Sequence, residues 1–202
     1  METRIIHWWD PHHKQAYLND LKRSIAAAKQ VGAKSVTIHS NALGDGGVVV
    51  NPYDDLSDTV KLCSMYDVLL ECVKIAEEEA VNLYLEALNI TTDHVGNFLK
   101  NTQMAAEICA LIASPRLKVL YDVYHMQLNE GSLCDTIRKY CGQFGHIHVA
   151  DAPGRHEPGT GEIQYQAVIR CLEECGYCGY IGYELFPLHD TKTAVAAIMK
   201  HA

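Results

Sequence analysis

Four side chains that could catalyse a reaction or bind a metal stand at the ends of apolar segments of this chain. They are separated by 36, 26 and 36 residues, and each separation is about the length of one strand followed by one helix. The four residues and their segments are Glu86 in VNLYLEAL, Asp122 in KVLYDVYH, His148 in GHIHVAD and Glu184 in YIGYELF.

If these segments are parallel strands of a barrel, side chains at equivalent carboxyl-terminal positions point to one mouth and converge. Three carboxylates and one imidazole form a site for a divalent cation such as Mn²⁺, Mg²⁺ or Co²⁺. A cation also explains how a strand can bury the charge of Asp122, because it offsets the cost of desolvation. Each residue alone has a simpler explanation as a solvated strand end, a helix cap or a packed histidine, but the agreement of all four positions favours the site.

The elements that must position these residues alternate along the chain. Helical patterns of apolar residues cover 14–31, 59–80, part of 93–112, 133–140, 165–175 and about 191 to the end. Strand patterns cover 35–39, 81–88, 117–125, 145–150 and 180–185, and 3–9 is a sixth candidate. The segment 41–58 is rich in Gly and Asp, and this composition predicts a loop that is too polar for a core. The regular alternation predicts a parallel sheet, because each return to the sheet passes through a helix.

The pattern of elements along the whole chain, 1–202, predicts a single α/β domain of the TIM (β/α) barrel class. No GxGxxG or GxxxxGK[ST] motif follows a strand, which argues against a nucleotide-binding doubly wound sheet. A closed barrel has eight strands, so five or six strands predict an N-terminally incomplete barrel whose first βα units are missing. Missing strands would expose a sheet edge, and we expect self-association into a homo-oligomer to cover it.

The composition limits the classes of partner. The 202 residues carry a formal net charge of −8, which argues against nucleic acid and against an anionic membrane surface. No apolar run approaches the roughly 20 residues of a membrane span, and the first residues lack the pattern of a secretory signal. Eight cysteines are scattered through the predicted helices, which favours reduced thiols in the cytoplasm. The expected partner is a small-molecule substrate.

Several segments resemble the hydroxypyruvate isomerase family, namely LEALN, LKVLYDVYHMQ, GHIHVADAPGRHEPGTGEI and the Glu184 strand followed by FPL. This family is part of the xylose-isomerase-like TIM-barrel group, which also contains ketose 3-epimerases. The similarity covers most of the chain and implies one bound divalent metal. By this resemblance, Glu86 and Glu184 are metal ligands and also the acid/base pair. Asp122 and His148 complete the metal shell.

The resemblance further implies that His125 and Arg155 contact the substrate. Arginine binds carboxylates through two parallel hydrogen bonds, so Arg155 and the Gly-rich segment 158–162 favour a carboxylate-bearing substrate, although a solvated loop charge explains Arg155 equally well. In this chemistry a proton moves through an enediolate that a metal stabilises, and carboxylates transfer the proton. Its return to the neighbouring carbon is isomerisation, and its return to the opposite face of the same carbon is epimerisation.

Two departures from the family keep three functions open. Hydroxypyruvate isomerases usually have Gln where this chain has His148, whereas 3-epimerases usually have His, and family members are longer. The first hypothesis is a metal-dependent isomerase that converts hydroxypyruvate to tartronate semialdehyde, and the long GRHEPGTGEI motif favours it. The second is a ketose 3-epimerase or another sugar isomerase of the same group, which His148 favours. The third is a truncated, inactive barrel, which the missing strands favour.

Overall fold

The computed structural model describes residues 11–201, with side chains described for residues 14–200. The strands are β1 (Ser35–Ile38), β2 (Asn82–Glu86), β3 (Leu117–Asp122), β4 (Phe144–Val149) and β5 (Ile181–Tyr183). The helices are α1 (Pro11–Gln30), α2 (Asp58–Glu78), α3 (Thr102–Ile112), α4 (Val123–Asn129), α5 (Leu133–Tyr140), α6 (Tyr165–Glu174) and α7 (Thr191–His201). Short 3₁₀ helices occupy Asp45–Gly47 and Cys141–Gln143. The candidate strand at 3–9 lies outside the described residues.

The five strands form one parallel sheet in the order β1-β2-β3-β4-β5. Strands that follow one another in the chain are therefore neighbours in the sheet, as the alternation of helix and strand predicts for a barrel. The predicted incomplete TIM barrel is confirmed. Within residues 11–201, β1 and β5 each pair with a strand on one side only.

The two faces of the sheet have different characters because successive side chains on a strand point to opposite sides. One face packs against the helices and forms the main apolar core, to which the strands contribute Leu83, Leu85, Val119, Tyr121 and Ile147. The residues between them face the other way and are more polar. On that face, the Tyr84 ring stacks on the His146 ring with centroids 5.8 Å apart.

The junction between β3 and α4 differs from the prediction. The sequence predicts a strand over 117–125, but β3 ends at Asp122 and α4 begins at Val123. Asp122 caps the helix, because its Oδ1 accepts a hydrogen bond from the backbone N–H of His125 at 3.0 Å. Each of residues 123–126 is buried, so the apolar run continues through the junction and its periodicity does not mark the boundary.

The loop at 41–58 also differs in part from its prediction. Its composition predicts a segment too polar for a core, yet Leu43 and Val49 are buried and pack with Leu88 in a second, smaller apolar cluster. The other predicted elements agree with the structure to within a few residues at each end. Within residues 11–201, no helix combines the length and apolar character that crossing a bilayer requires.

Candidate metal centre

The register of the sheet brings together the four residues with which the sequence analysis began. Glu86 and Asp122 are the last residues of β2 and β3, and Asp122 is level with His148 of β4. His148 is in turn level with Gly182, two positions before Glu184. An offset of two keeps the side chains on the same face. One potential ligand atom from each of the four residues lies within 4.8 Å of the others, so the predicted convergence is present.

The Nδ1 atom of His148 lies among three carboxylate oxygens. It is 3.4 Å from Glu86 Oε1, 3.6 Å from Glu184 Oε2 and 3.8 Å from Asp122 Oδ2. Donor atoms bound at ~2.1 Å to one small divalent ion are on the order of 3 Å apart, so the observed spacing is close to that of a ligand shell.

Two atoms of the cluster indicate whether a cation would fit between these residues. Glu86 Oε1 and His148 Nδ1 are both buried and have no hydrogen-bond partner among the described residues. Buried polar atoms without partners are rare, and buried carboxylates without a compensating charge are costly. Three carboxylates and one imidazole suit a divalent cation. The residues therefore form a possible metal-binding cluster.

The electrostatics of the cluster favour positive charge at its centre. Burial disfavours the charge of Glu86, but contacts with His148 and His39 outweigh burial and hold the pKa of Glu86 well below its usual value. Burial, with the negative charge of Glu86, raises the pKa of Asp122 to about 6. Burial opposes protonation of His148, but the surrounding carboxylates outweigh it and raise its pKa. A bound cation would take over the role of that proton.

His39 is a site residue that the sequence analysis missed. It follows β1, and its Nε2 lies 2.8 Å from Glu86 Oε2. This contact orients the Glu86 carboxylate so that Oε1 is directed towards His148, in the manner of a group that positions a metal ligand. The available signal was its place at the end of another strand, which is the same signal that identified the other four residues.

Arg155 lies in the loop after β4, beside the cluster. Its guanidinium forms an ion pair with Glu184 and lies 5.4 Å from the centroid of the Tyr124 ring. The side chain is only 17% exposed, whereas Glu184 is 53% exposed. Arg155 is therefore the more firmly placed partner of this ion pair, and it also lines the cavity described below.

His125 is placed by α4 rather than by a strand, and it is almost fully buried. Burial lowers its pKa to about 4, so the ring is neutral at physiological pH. Its Nε2 lies 3.8 Å from Asp122 Oδ2, which places the ring against the cluster. Asp93 and His94 form a second group with His125. This group has one carboxylate, whose Oδ2 already accepts hydrogen bonds from Asn89 and Tyr124, so it is a weaker metal candidate.

The cluster opens into a cavity of about 770 Å³. His39, His125 and Arg155 line it together with three of the ligand candidates, Glu86, His148 and Glu184. The short 3₁₀ helix Asp45–Gly47 covers one side. His94 attaches that helix to the site, because its Nδ1 lies 2.7 Å from the carbonyl oxygen of Gly47. The volume is sufficient for a small polar molecule.

Comparisons with known proteins agree with this geometry. A family model described as xylose isomerase-like TIM barrel matches residues 5–201. Hydroxypyruvate isomerase of Escherichia coli is 36% identical over 118 residues, which are 58% of this chain and 45% of that protein. A human protein named putative hydroxypyruvate isomerase is 29% identical over 188 residues, which are 90% of this chain and 64% of that protein. The chain thus spans less than two thirds of the length of either relative.

One solved structure supports the fold alone. The crystal structure of 3-keto-D-glucoside 4-epimerase from E. coli superposes with a TM-score of 0.81 at 21% sequence identity. The match covers 100% of this chain and 76% of the epimerase chain. The described sheet and helices therefore correspond to part of a larger barrel.

Proposed function

Because the chain belongs to the xylose isomerase-like TIM barrel family, we propose that it is a metal-dependent isomerase that converts hydroxypyruvate to tartronate semialdehyde. The observation that carries the proposal is the convergence of Glu86 and Glu184 with Asp122 and His148 in one cluster beside a cavity. The curated relatives named hydroxypyruvate isomerase support the choice of reaction.

In this proposal, Glu86, Asp122, His148 and Glu184 hold one divalent metal. The excess of carboxylates favours Mg²⁺ or Mn²⁺, and the imidazole also permits Co²⁺. When bound, the metal supplies positive charge that stabilises the oxygens of an enediolate. The residues around it then need only to position the substrate and move protons.

Glu86 and Glu184 are the proposed acid/base pair. One carboxylate removes a proton from the hydroxymethyl carbon of hydroxypyruvate, and the resulting enediolate is protonated on the former carbonyl carbon. The hydroxyl proton passes between the two oxygens, so the atoms balance without an oxidant or a second substrate. The lowered pKa of Glu86 keeps its carboxylate ionised, and therefore able to accept a proton.

Arg155 is the proposed contact for the substrate carboxylate. It is held beside the cluster by Glu184 and by the Tyr124 ring, so little side-chain entropy is lost on binding. A guanidinium matches a carboxylate through two parallel hydrogen bonds. His125 is the second proposed substrate contact, because it is buried against the cluster and lines the cavity.

A second candidate function is epimerisation of a ketose at carbon 3 or isomerisation of a related sugar. His148 favours it, since the family resemblance associates histidine at this position with the epimerases. The same cluster serves both reactions, because they differ only in the carbon and the face to which the proton returns. The third hypothesis, an inactive barrel, predicts metal binding without proton transfer.

The experiment that separates these hypotheses is proton NMR of substrate in D₂O. Metal-loaded protein is incubated with hydroxypyruvate or with each of several ketoses, and the protein is removed before acquisition. We expect metal-dependent deuterium incorporation next to the carbonyl group of hydroxypyruvate, and none with a chelator.

Glu184→Gln should lower the rate about 10²- to 10⁴-fold, as expected for loss of one acid/base group. Glu173→Gln, an exposed glutamate of α6, is the matched control.

Each outcome has a distinct meaning. Exchange with a ketose but not with hydroxypyruvate would replace the isomerase by the epimerase. Folded, metal-loaded protein that exchanges no substrate would favour the inactive barrel.

The remaining partner and location hypotheses stay predictions. The net charge of −8 supports a small-molecule substrate rather than nucleic acid or a membrane. All eight cysteines lie within the described residues and are free, which supports a cytoplasmic location. Exposed Tyr180 and Phe186 flank the edge strand β5 and support a homo-oligomer, which sedimentation analysis can test.

A further inference from the structure

Asn89 is a fully buried amide three residues after Glu86, outside the proposed ligands and substrate contacts. Its Oδ1 accepts hydrogen bonds from the backbone N–H groups of Thr92 at 3.1 Å and Asp93 at 3.0 Å. Its Nδ2 lies 2.8 Å from Asp93 Oδ2 and 2.8 Å from His125 Nδ1. Because both backbone donors require an oxygen acceptor, these contacts fix the orientation of the amide.

This orientation determines where the proton of His125 lies. The Nδ2 atom of Asn89 can only donate, so Nδ1 of His125 must be the acceptor. A neutral imidazole that accepts at Nδ1 carries its proton on Nε2. Asn89 therefore selects one of the two tautomers of His125, although the two residues are 36 positions apart in the sequence.

The other end of the ring is a donor without an acceptor. His125 Nε2 is buried and has no hydrogen-bond partner among the described residues. A buried donor left unpaired is unfavourable, and His125 lines the cavity together with Glu86, His148 and Glu184. The expected acceptor is therefore an oxygen of a molecule bound in that cavity.

We propose that Asn89 is a positioning residue that holds His125 in the Nε2–H form, so that His125 donates a hydrogen bond to a substrate oxygen beside the metal ligands. The inference rests on the proposed proton-transfer function. A neutral imidazole is a suitable donor to an oxygen that gains negative charge in an enediolate, because it is already oriented and need not lose a proton.

The decisive variant exchanges the two side chains, Asn89→Asp together with Asp93→Asn. The exchange keeps the net charge and the side-chain sizes. The carboxylate introduced at position 89 would still accept from the backbone of residues 92 and 93, and the amide introduced at position 93 would donate to it. Towards His125, however, the donor becomes an acceptor, so Nδ1 of His125 must carry a proton. Asp93→Asn alone keeps Asn89 and is the matched control.

The primary readout is the protonation of each ring nitrogen, measured by long-range ¹H–¹⁵N correlation NMR of metal-free, ¹⁵N-histidine-labelled protein. The signals of His125 are assigned by their loss in His125→Gln. We expect an unprotonated Nδ1 and a protonated Nε2 in the wild type and in Asp93→Asn, and a protonated Nδ1 in the exchanged variant. A protonated Nδ1 in the wild type, or an unprotonated Nδ1 in the exchanged variant, would overturn the proposal.

The secondary readout is the rate of deuterium incorporation into substrate by the metal-loaded proteins. Where the exchanged variant has lost the Nε2 proton, kcat should fall about 10²- to 10³-fold, the usual effect of removing one oxyanion donor, with a smaller change in KM. An undiminished kcat in a variant without the Nε2 proton would overturn the donor role. Absence of exchange in the wild type would instead refute the proposed function, and the NMR result for Asn89 would be independent of it.

Discussion

Asp122 performs two local tasks with its two carboxylate oxygens. Oδ1 accepts the hydrogen bond from His125 that caps α4, and Oδ2 lies 3.8 Å from His148 Nδ1. The same side chain thus ends a strand, caps a helix and belongs to the candidate metal-binding cluster. Its burial beside Glu86 raises its pKa to about 6, so in the metal-free protein its charge opposes folding near neutral pH.

We expect Asp122→Asn to stabilise the metal-free protein near neutral pH while it weakens metal binding. The amide keeps an oxygen for the cap but removes the buried charge. The folded-state pKa of about 6 exceeds the unfolded value of about 3.9, so the folded state binds more protons between these values and stability falls as pH rises through this window. The shift corresponds to a loss on the order of 3 kcal/mol at neutral pH.

Chemical denaturation with a chelator present, at about pH 4 and about pH 7, measures this effect. The variant should be more stable than the wild type only at the higher pH, and calorimetric titration with Mg²⁺ should give weaker binding. Asp54→Asn, at an exposed loop position, should change neither quantity. A wild type that is the more stable protein at neutral pH would contradict the prediction.

At the scale of the element, the loop after β4 carries Arg155 and is held together by a buried carboxylate. Asp151 is fully buried and accepts hydrogen bonds from the backbone N–H groups of Ala152, Gly159 and Ile163. These bonds close the segment that carries the PGRHEPGTGEI motif. Gly161 completes it, because a Cβ atom there would lie 2.2 Å from the carbonyl oxygen of Ala152. The distinctive sequence of the loop thus reflects a backbone requirement as well as chemistry.

Gly161→Ala should displace this loop and weaken substrate binding. The added methyl group meets backbone rather than a flexible side chain, so we expect a loss of about 1–3 kcal/mol of stability, as for other overpacked positions. Thermal unfolding measures the stability, and KM for hydroxypyruvate measures the position of Arg155. Gly142→Ala is the control, because a Cβ atom at Gly142 has no neighbour within 4 Å. Equal effects of the two substitutions would show that the loop does not depend on this contact.

At the scale of the whole molecule, the candidate ligands lie on three consecutive strands, β2, β3 and β4, and directly after the fourth, β5. β5 is an edge strand with partly exposed residues, and Glu184 beyond it is 53% exposed. A metal ion bound by all four residues would therefore link the least buried strand to the central ones. Binding stabilises the folded state by about 2.7 kcal/mol at a ligand concentration of 100 Kd.

Hydrogen–deuterium exchange of the protein backbone tests this linkage. We expect added Mg²⁺ to slow exchange in β5 more than in β2, β3 or β4, because the central strands are already protected by burial. Glu184→Gln should remove most of the protection of β5, whereas Glu173→Gln should not. Protection of β5 that is the same with and without the Glu184 carboxylate would contradict the arrangement.

The sequence by itself determined the order of the elements, apart from α4, and the four residues of the cluster. Both depend on local information: apolar periodicity marks each helix or strand, and a polar residue at the end of an apolar strand marks a place where burial needs compensation. The alternation of helices and strands implies that the strands are parallel. In a parallel sheet, the side chains at the carboxyl ends of the strands then converge.

The tertiary structure alone decided which distant polar side chains contact one another in and beside that cluster. His39 contacts Glu86 across 47 residues of sequence, and Asn89 contacts His125 across 36. The end of β3 was decided in the same way, because the buried residues after Asp122 suit a strand as well as a helix until the cap is seen. Local pattern specifies which face of an element is buried, but the partner of a buried polar group depends on the packing of distant segments, which no local periodicity contains.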